Sequence, residues 1–175
     1  RYDGASRLIV RNDQRGDDSG YGYDVASRLL TRSYPDGLND TFEYDAASRL
    51  TKAISARYDN EVLRSYFEDG TLDTETLVIG GQAYPCQHAY DAAGRVVSCT
   101  YPNGNIVAKD YTVRSQLAGL DYTTVSGGSP VSTTDIADFV YDAGMRETSR
   151  TFGNSLVKTT TYQADNLIAN IQTPG

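Results

Sequence analysis

The sequence has no tryptophan, one histidine, one methionine and two cysteines in 175 residues. A serine-type triad needs a histidine oriented by an acid, and no nucleophile-elbow sequence accompanies His88. Two cysteines and one histidine fall short of the four ligands of a structural zinc site. No apolar run approaches the roughly 20 residues of a membrane span, and the N-terminus carries no signal-peptide pattern. Basic residues are the minority, 16 against 23 acidic, and form no stripe. The net charge of −7 therefore argues against nucleic acid and anionic membrane surfaces as partners.

What is abundant is tyrosine, 14 of the 18 Phe and Tyr residues, with 16 glycines. Tyrosine has an apolar body and a polar tip, so many half-buried positions are expected rather than one thick core. Glycine in this number points to a turn-rich β protein.

The tyrosines are periodic. Tyr2-Asp3-Gly4-Ala5-Ser6-Arg7-Leu8 recurs as Tyr23-Asp24-Val25-Ala26-Ser27-Arg28-Leu29 and as Tyr44-Asp45-Ala46-Ala47-Ser48-Arg49-Leu50. It returns as Tyr90-Asp91-Ala92-Ala93-Gly94-Arg95-Val96. Looser copies begin at Tyr66, Tyr111, Tyr141 (with Asp142 and Arg146, its Gly144 displaced by one) and Tyr162. The spacings are 21, 21, 22, 24, 21, 30 and 21. Eleven residues after a motif tyrosine stand Tyr34-Pro35-Asp36-Gly37 and Tyr101-Pro102-Asn103-Gly104, with Phe152-Gly153-Asn154 and Tyr122 in the same phase. Pro, Asp or Asn, then Gly is a β-turn sequence. The Asp-x-x-[Ser/Gly] of the motif is a second turn.

Each unit thus holds two turns joined by segments of strand length, rich in Thr, Val, Ile, Leu, Tyr and Phe. The expected fold is all-β: one array of about eight tandem hairpins over residues 1–175, forming a continuous antiparallel sheet. One hairpin cannot bury its face alone, but stacked hairpins can. Neighbouring motif tyrosines are expected to form a ladder at the strand spacing of ~4.8 Å, with the motif arginines on their rings. Extra residues between Tyr111 and Tyr141 are expected as a mobile loop at 126–132, and three near Gly80-Gly81 as a second.

Candidate sites are few. His88 lies two residues before Tyr90 and reads as a packing residue. Carboxylates that recur with the repeat read as turn residues, not as a catalytic pair. Asp13, Asp17 and Asp18 offer calcium-type oxygens, but their spacing fits no EF-hand. Arg15-Gly16-Asp17 is a three-residue match at near-chance frequency. Cys86 and Cys99 flank the turn 91–94. A four-residue loop there pairs them directly, within reach of a disulfide. A type I turn with a bulge at Gly94 puts them on opposite faces. Serine at the Gly94 place in three sister motifs, where positive φ is costly, favours the four-residue loop.

The Y-D-x-x-[SG]-R-[LV] core at a period near 21, with Y-P-[DN]-G between copies, resembles the Rhs/YD-repeat family over essentially the whole chain. The resemblance implies a twisted, curving sheet, a partial shell or solenoid. In that family such sheets enclose a C-terminal toxin in bacterial Rhs and toxin-complex proteins, and serve adhesion in teneurins. No Pro-rich core motif of the self-cleaving kind and no following toxin domain is found here. Arg1 stands directly inside a motif, so the chain reads as a piece of a longer protein.

The expected role is non-catalytic: a shell-wall or filament segment of a secreted or cell-surface bacterial protein, with no cofactor and no metal. The expected partners are other copies or the parent chain at the open sheet edges, and a toxin domain enclosed in the parent. The alternative is an adhesion module that stacks glycans or a receptor on its tyrosines.

Overall fold

The computed structural model describes residues 1–173; Pro174 and Gly175 lie outside the described residues. Two compact units divide the chain, Arg1–Cys86 and the part from Gln87 onward. In the first stand β1 (Val10–Asn12), β2 (Asp18–Tyr23), β3 (Leu29–Ser33), β4 (Asn39–Tyr44), β5 (Leu50–Ser55), β6 (Asn60–Tyr66) and β7 (Leu72–Ile79). The unit boundary falls inside β8 (Gln82–Tyr90). The second unit continues with β9 (Val96–Thr100), β10 (Ile106–Tyr111), β11 (Leu117–Ser126) and β12 (Ser129–Tyr141). It ends with β13 (Glu147–Phe152), β14 (Val157–Tyr162) and β15 (Ile168–Gln172). The strands form a 15-stranded sheet whose order is the chain order, without crossovers. The fold is all-β and antiparallel, built of tandem hairpins.

The motif turn sets the geometry. Asp24 N donates to Arg28 O at 3.0 Å, and Ser27 N donates to Asp24 O at 3.0 Å. The same pair of bonds closes the turns at Asp3, Asp45, Asp91 and Asp142, and the Tyr-Pro turns at Tyr34 and Tyr101. The fourth turn residue is left-handed, with φ of 62° at Ser6, 63° at Ser27, 64° at Ser48 and 76° at Gly94. This corrects the four-residue loop. Positive φ costs a serine about 1 kcal/mol. Here the motif aspartate offsets it, because Asp24 Oδ1 accepts from both Ala26 N and Arg28 N at 2.9 Å.

The register changes accordingly. Tyr90 pairs with Val96, a further irregularity follows between Ala89 and Tyr90, and His88 stands opposite Cys99. Two successive shifts return the alternation to its first face. Cys86, expected opposite Cys99, is instead two places along β8 from Cys99's partner. Neither cysteine is free; both are disulfide-bonded.

The inserted residues are strand, not loop. β11 and β12 run for 10 and 13 residues and meet at Gly127-Gly128, with φ of 59° and 79°. Gly80-Gly81, with φ of 55° and 77°, joins β7 and β8 in the same way. Two glycines in the left-handed region make the two-residue turn whose twist matches antiparallel strands. The surplus residues therefore extend the ladder. Tyr122, in phase with the turns, lies mid-strand in β11.

Almost nothing is fully buried. Among the described residues Ala137 is the one buried apolar side chain, at 4% exposure, and none falls below 2%. Stacking hairpins half-buries the faces and no more. Backbone ladders and local side-chain bonds must carry the stability.

At Tyr141 the motif glycine is displaced: Met145, not Gly144, takes the left-handed place, at φ 65°. Met145→Gly is expected to raise stability by roughly 0.5–1 kcal/mol, or about 1–4 °C in Tm, by relieving that conformation. Lower stability in a thermal melt would contradict this account of the turn.

Candidate functional site: the arginine–tyrosine seam

The motif aspartate, arginine and tyrosine converge at the joint between consecutive hairpins. Arg28 Nε donates to its own Asp24 Oδ2 at 2.6 Å, which holds the guanidinium flat beside the turn. The far side of that guanidinium reaches the next repeat: it donates to Asp45 O at 3.0 Å and to Ser48 Oγ at 3.3 Å. Its carbon stands 5.1 Å from the Tyr44 ring centroid. Planar, five-donor arginine can do all of this at once.

The device recurs. Arg7 bonds Asp3 at 2.7 Å and Asp24 O at 2.9 Å, and stands 5.0 Å from the Tyr23 ring. Arg49 donates to Phe67 O at 3.3 Å, 4.6 Å from the Tyr66 ring. Arg95 donates to Thr112 O and Ser115 Oγ, 4.8 Å from the Tyr111 ring. Arg146 donates to Asn166 Oδ1 at 2.8 Å, 4.5 Å from the Tyr162 ring. The tyrosines answer in the opposite direction. The hydroxyls of Tyr23, Tyr66, Tyr111 and Tyr162 donate to Leu8 O, Leu50 O, Val96 O and Glu147 O. Each acceptor is the residue after the previous motif's basic residue.

The tyrosine-on-tyrosine ladder is thus corrected to an alternation of guanidinium and ring. Motif tyrosines occur once per hairpin, so they stand two strands apart, beyond direct ring contact. The arginine fills the interval.

Where the motif is degenerate, other groups take over. Thr112 stands in the aspartate place, and its Oγ1 accepts from Arg114 N and Gln116 N at 3.3 and 3.2 Å. Gln116 holds the arginine place. Gln116 Nε2 donates to Met145 O at 3.0 Å, and Arg114 donates to Ala143 O at 2.9 Å. Nothing in the spacing singled out Arg114 for this part.

A second network fixes the Tyr34 turn. Asp40, 4% exposed, accepts from the Tyr34 hydroxyl at 2.7 Å and from Arg32 at 2.5 Å. Burial pushes the Asp40 carboxyl up, but hydrogen bonds from Tyr34, Arg32 and Ser55 together hold it below the ordinary value. Arg32 and Arg57 both lie over the Tyr34 ring, and Arg57 pairs with Asp36 at 2.6 Å. Tyr101, its counterpart, is 44% exposed. Asp13 spends Oδ1 on Arg15 N and Asp17 N, and Asp18 accepts from Asn12. The Arg15-Gly16-Asp17 tripeptide is therefore part of an ordinary turn of this array.

The motif carboxylates are held below 3.8: at Asp3, Asp24 and Asp45 chiefly by the backbone N–H of the arginine four residues on, at Asp91 and Asp142 chiefly by its side chain. A carboxylate with a depressed folded pKa lends stability that is present above the unfolded value and lost as pH falls through the folded one. Stability to urea should stay flat down to about pH 4 and fall steeply below it. An unfolding midpoint unchanged from pH 5 to pH 2 would contradict this. Arg28→Lys keeps the charge but cannot span three partners, and should cost about 1 kcal/mol; Arg28→Ala should cost about 2. The exposed Arg11 serves as the control: Arg11→Ala should stay within about 0.5 kcal/mol.

No protein-family model matches the chain, and no curated protein does. Solved structures match it across nearly its full length. The TcdB2-TccC3-TEV crystal structure superposes with a TM-score of 0.79 at 18% identity, over 99% of this chain and 10% of that one. The TcdB2-TccC3 crystal structure gives 0.61 at 17%, over 98% and 11%. A Photorhabdus luminescens Tc holotoxin pore gives 0.60 at 16%, over 97% and 10%. The chain spans about a tenth of the chains it matches. A motif that resembles the Rhs/YD repeat thus stands on the fold that these Tc chains share with it.

Proposed function

We propose that the chain is a non-catalytic wall segment of a larger secreted or surface-exposed YD-repeat protein, of the kind that surrounds a toxin domain carried elsewhere in its parent. The observation that carries this reading is the seam itself. Its recurring residues are spent on joining one hairpin to the next, and a wall needs that and no chemistry. The likeness to chains of a Tc holotoxin supports it, as do two disulfide-bonded cysteines, which suit an oxidising compartment. Among the described residues no helix is long and apolar enough to cross a membrane.

A wall built by nearest-neighbour joints gains stability with each repeat added. Arrays of increasing repeat number, unfolded in urea, should show midpoints that rise with length and level off. A midpoint independent of repeat number would overturn the reading.

Apolar side chains are exposed at both ends of the described sheet. Leu167, Ile168 and Ile171 are 62%, 55% and 50% exposed at β15, and Tyr2 is 69% exposed at the other end. Open sheet edges take up further strands. The isolated chain is expected to associate as its concentration rises. Light scattering that reports a monomer at high concentration would refute edge-to-edge association.

A further inference from the structure

The β11–β12 hairpin overruns its neighbours. β10 follows β11 only as far as the pair Ile106–Thr123. On the other side β13 meets β12 only from the pair Ala137–Phe152 onward. Ser129, Pro130 and residues 132–135 of β12 are laddered to β11 alone, with Val131 and Ile136 at the two register shifts. On the opposite flank, among the described residues, the one backbone bond is Gly153 N to Ile136 O at 3.0 Å. A strand points alternate N–H and C=O groups to either side, so residues 131–134, short of the Gly153 contact, offer an unfilled row of both.

The row is poorly defended. Exposed edges are commonly blunted by lysine, by proline or by shortness. Here Pro130 guards only the tip, and no basic residue occurs from 129 to 136. Register shifts at Leu120/Asp121 and Thr124/Val125 bracket a regular stretch, 132–135, that pairs evenly with 121–124.

Beneath this row the sheet makes a step. The Phe152 turn ends against β12 so closely that a Cβ on Gly153 would lie 1.9 Å from Asp135 O. The step forms an open recess of about 530 Å³ lined by Thr134, Asp135, Ile136, Phe152 and Leu156 among others. Ile136 and Leu156 are each 44% exposed there. Asp135 sits opposite Asp121 in the register. Burial raises its proton affinity, and the charges of Asp138 and Asp121 raise it further. A cation beside it would relieve that repulsion.

We propose that the free flank of β12, residues 131–134, is a strand-addition site for an extended segment of another polypeptide, one that alternates apolar and basic side chains and ends against Asp135. The added strand completes the backbone row, sets an apolar side chain on Ile136 and Leu156, and brings a lysine or arginine to Asp135. A second copy of this chain is the poorer occupant, because it carries a net charge of −7 to the same acidic place.

The probe is a synthetic eight-residue peptide of alternating lysine and valine, added to the isotope-labelled chain. Amide exchange read by NMR is expected to slow within residues 131–134. N-methylation of alternate peptide amides on one edge should abolish that protection, and methylation of the other edge should leave it. Asp135→Asn should weaken binding about five-fold. A glutamate–valine peptide should bind more weakly still. The proposal is overturned if saturating peptide protects no amide in 131–134. It is equally overturned if protection appears only at β1 or β15, if both methylated peptides bind alike, or if the glutamate peptide binds as well. Protection that grows with protein concentration alone would assign the flank to a second copy and overturn the stated occupant.

Discussion

Everything in this sheet depends on one guanidinium group serving two hairpins. Each motif arginine is tied at Nε to its own turn's aspartate and at its far nitrogen to the next hairpin. An exposed ion pair alone adds little to stability, because water screens it and two long side chains lose freedom. Here the same aspartate also shapes the turn, and the same arginine also covers a ring. The entropy of ordering the arginine is lost once and shared by several contacts. The joint is local in space yet links residues 17 to 20 positions apart, as between Arg7 and Asp24 or Ser27.

That joint replaces a core. With no side chain under 2% exposed among the described residues, the sheet cannot draw its stability from deep apolar burial. Its order is a chain of neighbours, so cooperativity must come from coupling between adjacent hairpins. A missing joint then matters locally, at its own pair of hairpins. This gives the β11–β12 hairpin its freedom to lengthen. Its neighbours meet its base, where Gln116 and Arg114 make the joint, while the tip grows without disturbing them.

The 21-residue spacing of tyrosine made the hairpin and its meander legible, because two turns per period leave only strand-length segments between them. The arginine on the tyrosine ring was also within reach of the motif. Three features were not. The turn type rests on the balance of one serine's strain against two hydrogen bonds accepted by its aspartate, and only the strain is a property of the serine itself. The glycine pairs at 80–81 and 127–128 read equally as flexible loop or as tight turn; the length of strand on both sides decides, and Ser129-Pro130 obscured it. The grouping of Asp121, Asp135 and Asp138 depends on register through a bulge, which the alternation of residues does not reveal.

The degenerate repeats separate what the turn requires from what the joint requires. Phe67, Thr112 and Gln163 stand where aspartate stands elsewhere, yet each turn closes with the same two backbone bonds. Gly70, Ser115 and Asn166 hold the left-handed place in these turns, at φ of 91°, 62° and 69°. The backbone turn therefore survives loss of the aspartate. The joint is less tolerant: with Gln116 in the arginine place, two side chains are needed where one served. Turn geometry belongs to the backbone and to one residue's φ, whereas the tie between hairpins belongs to side chains with several donors. A repeat can lose its signature and remain a hairpin, and at Gln116 the side-chain tie to the next is kept because Arg114 stands close enough to share it.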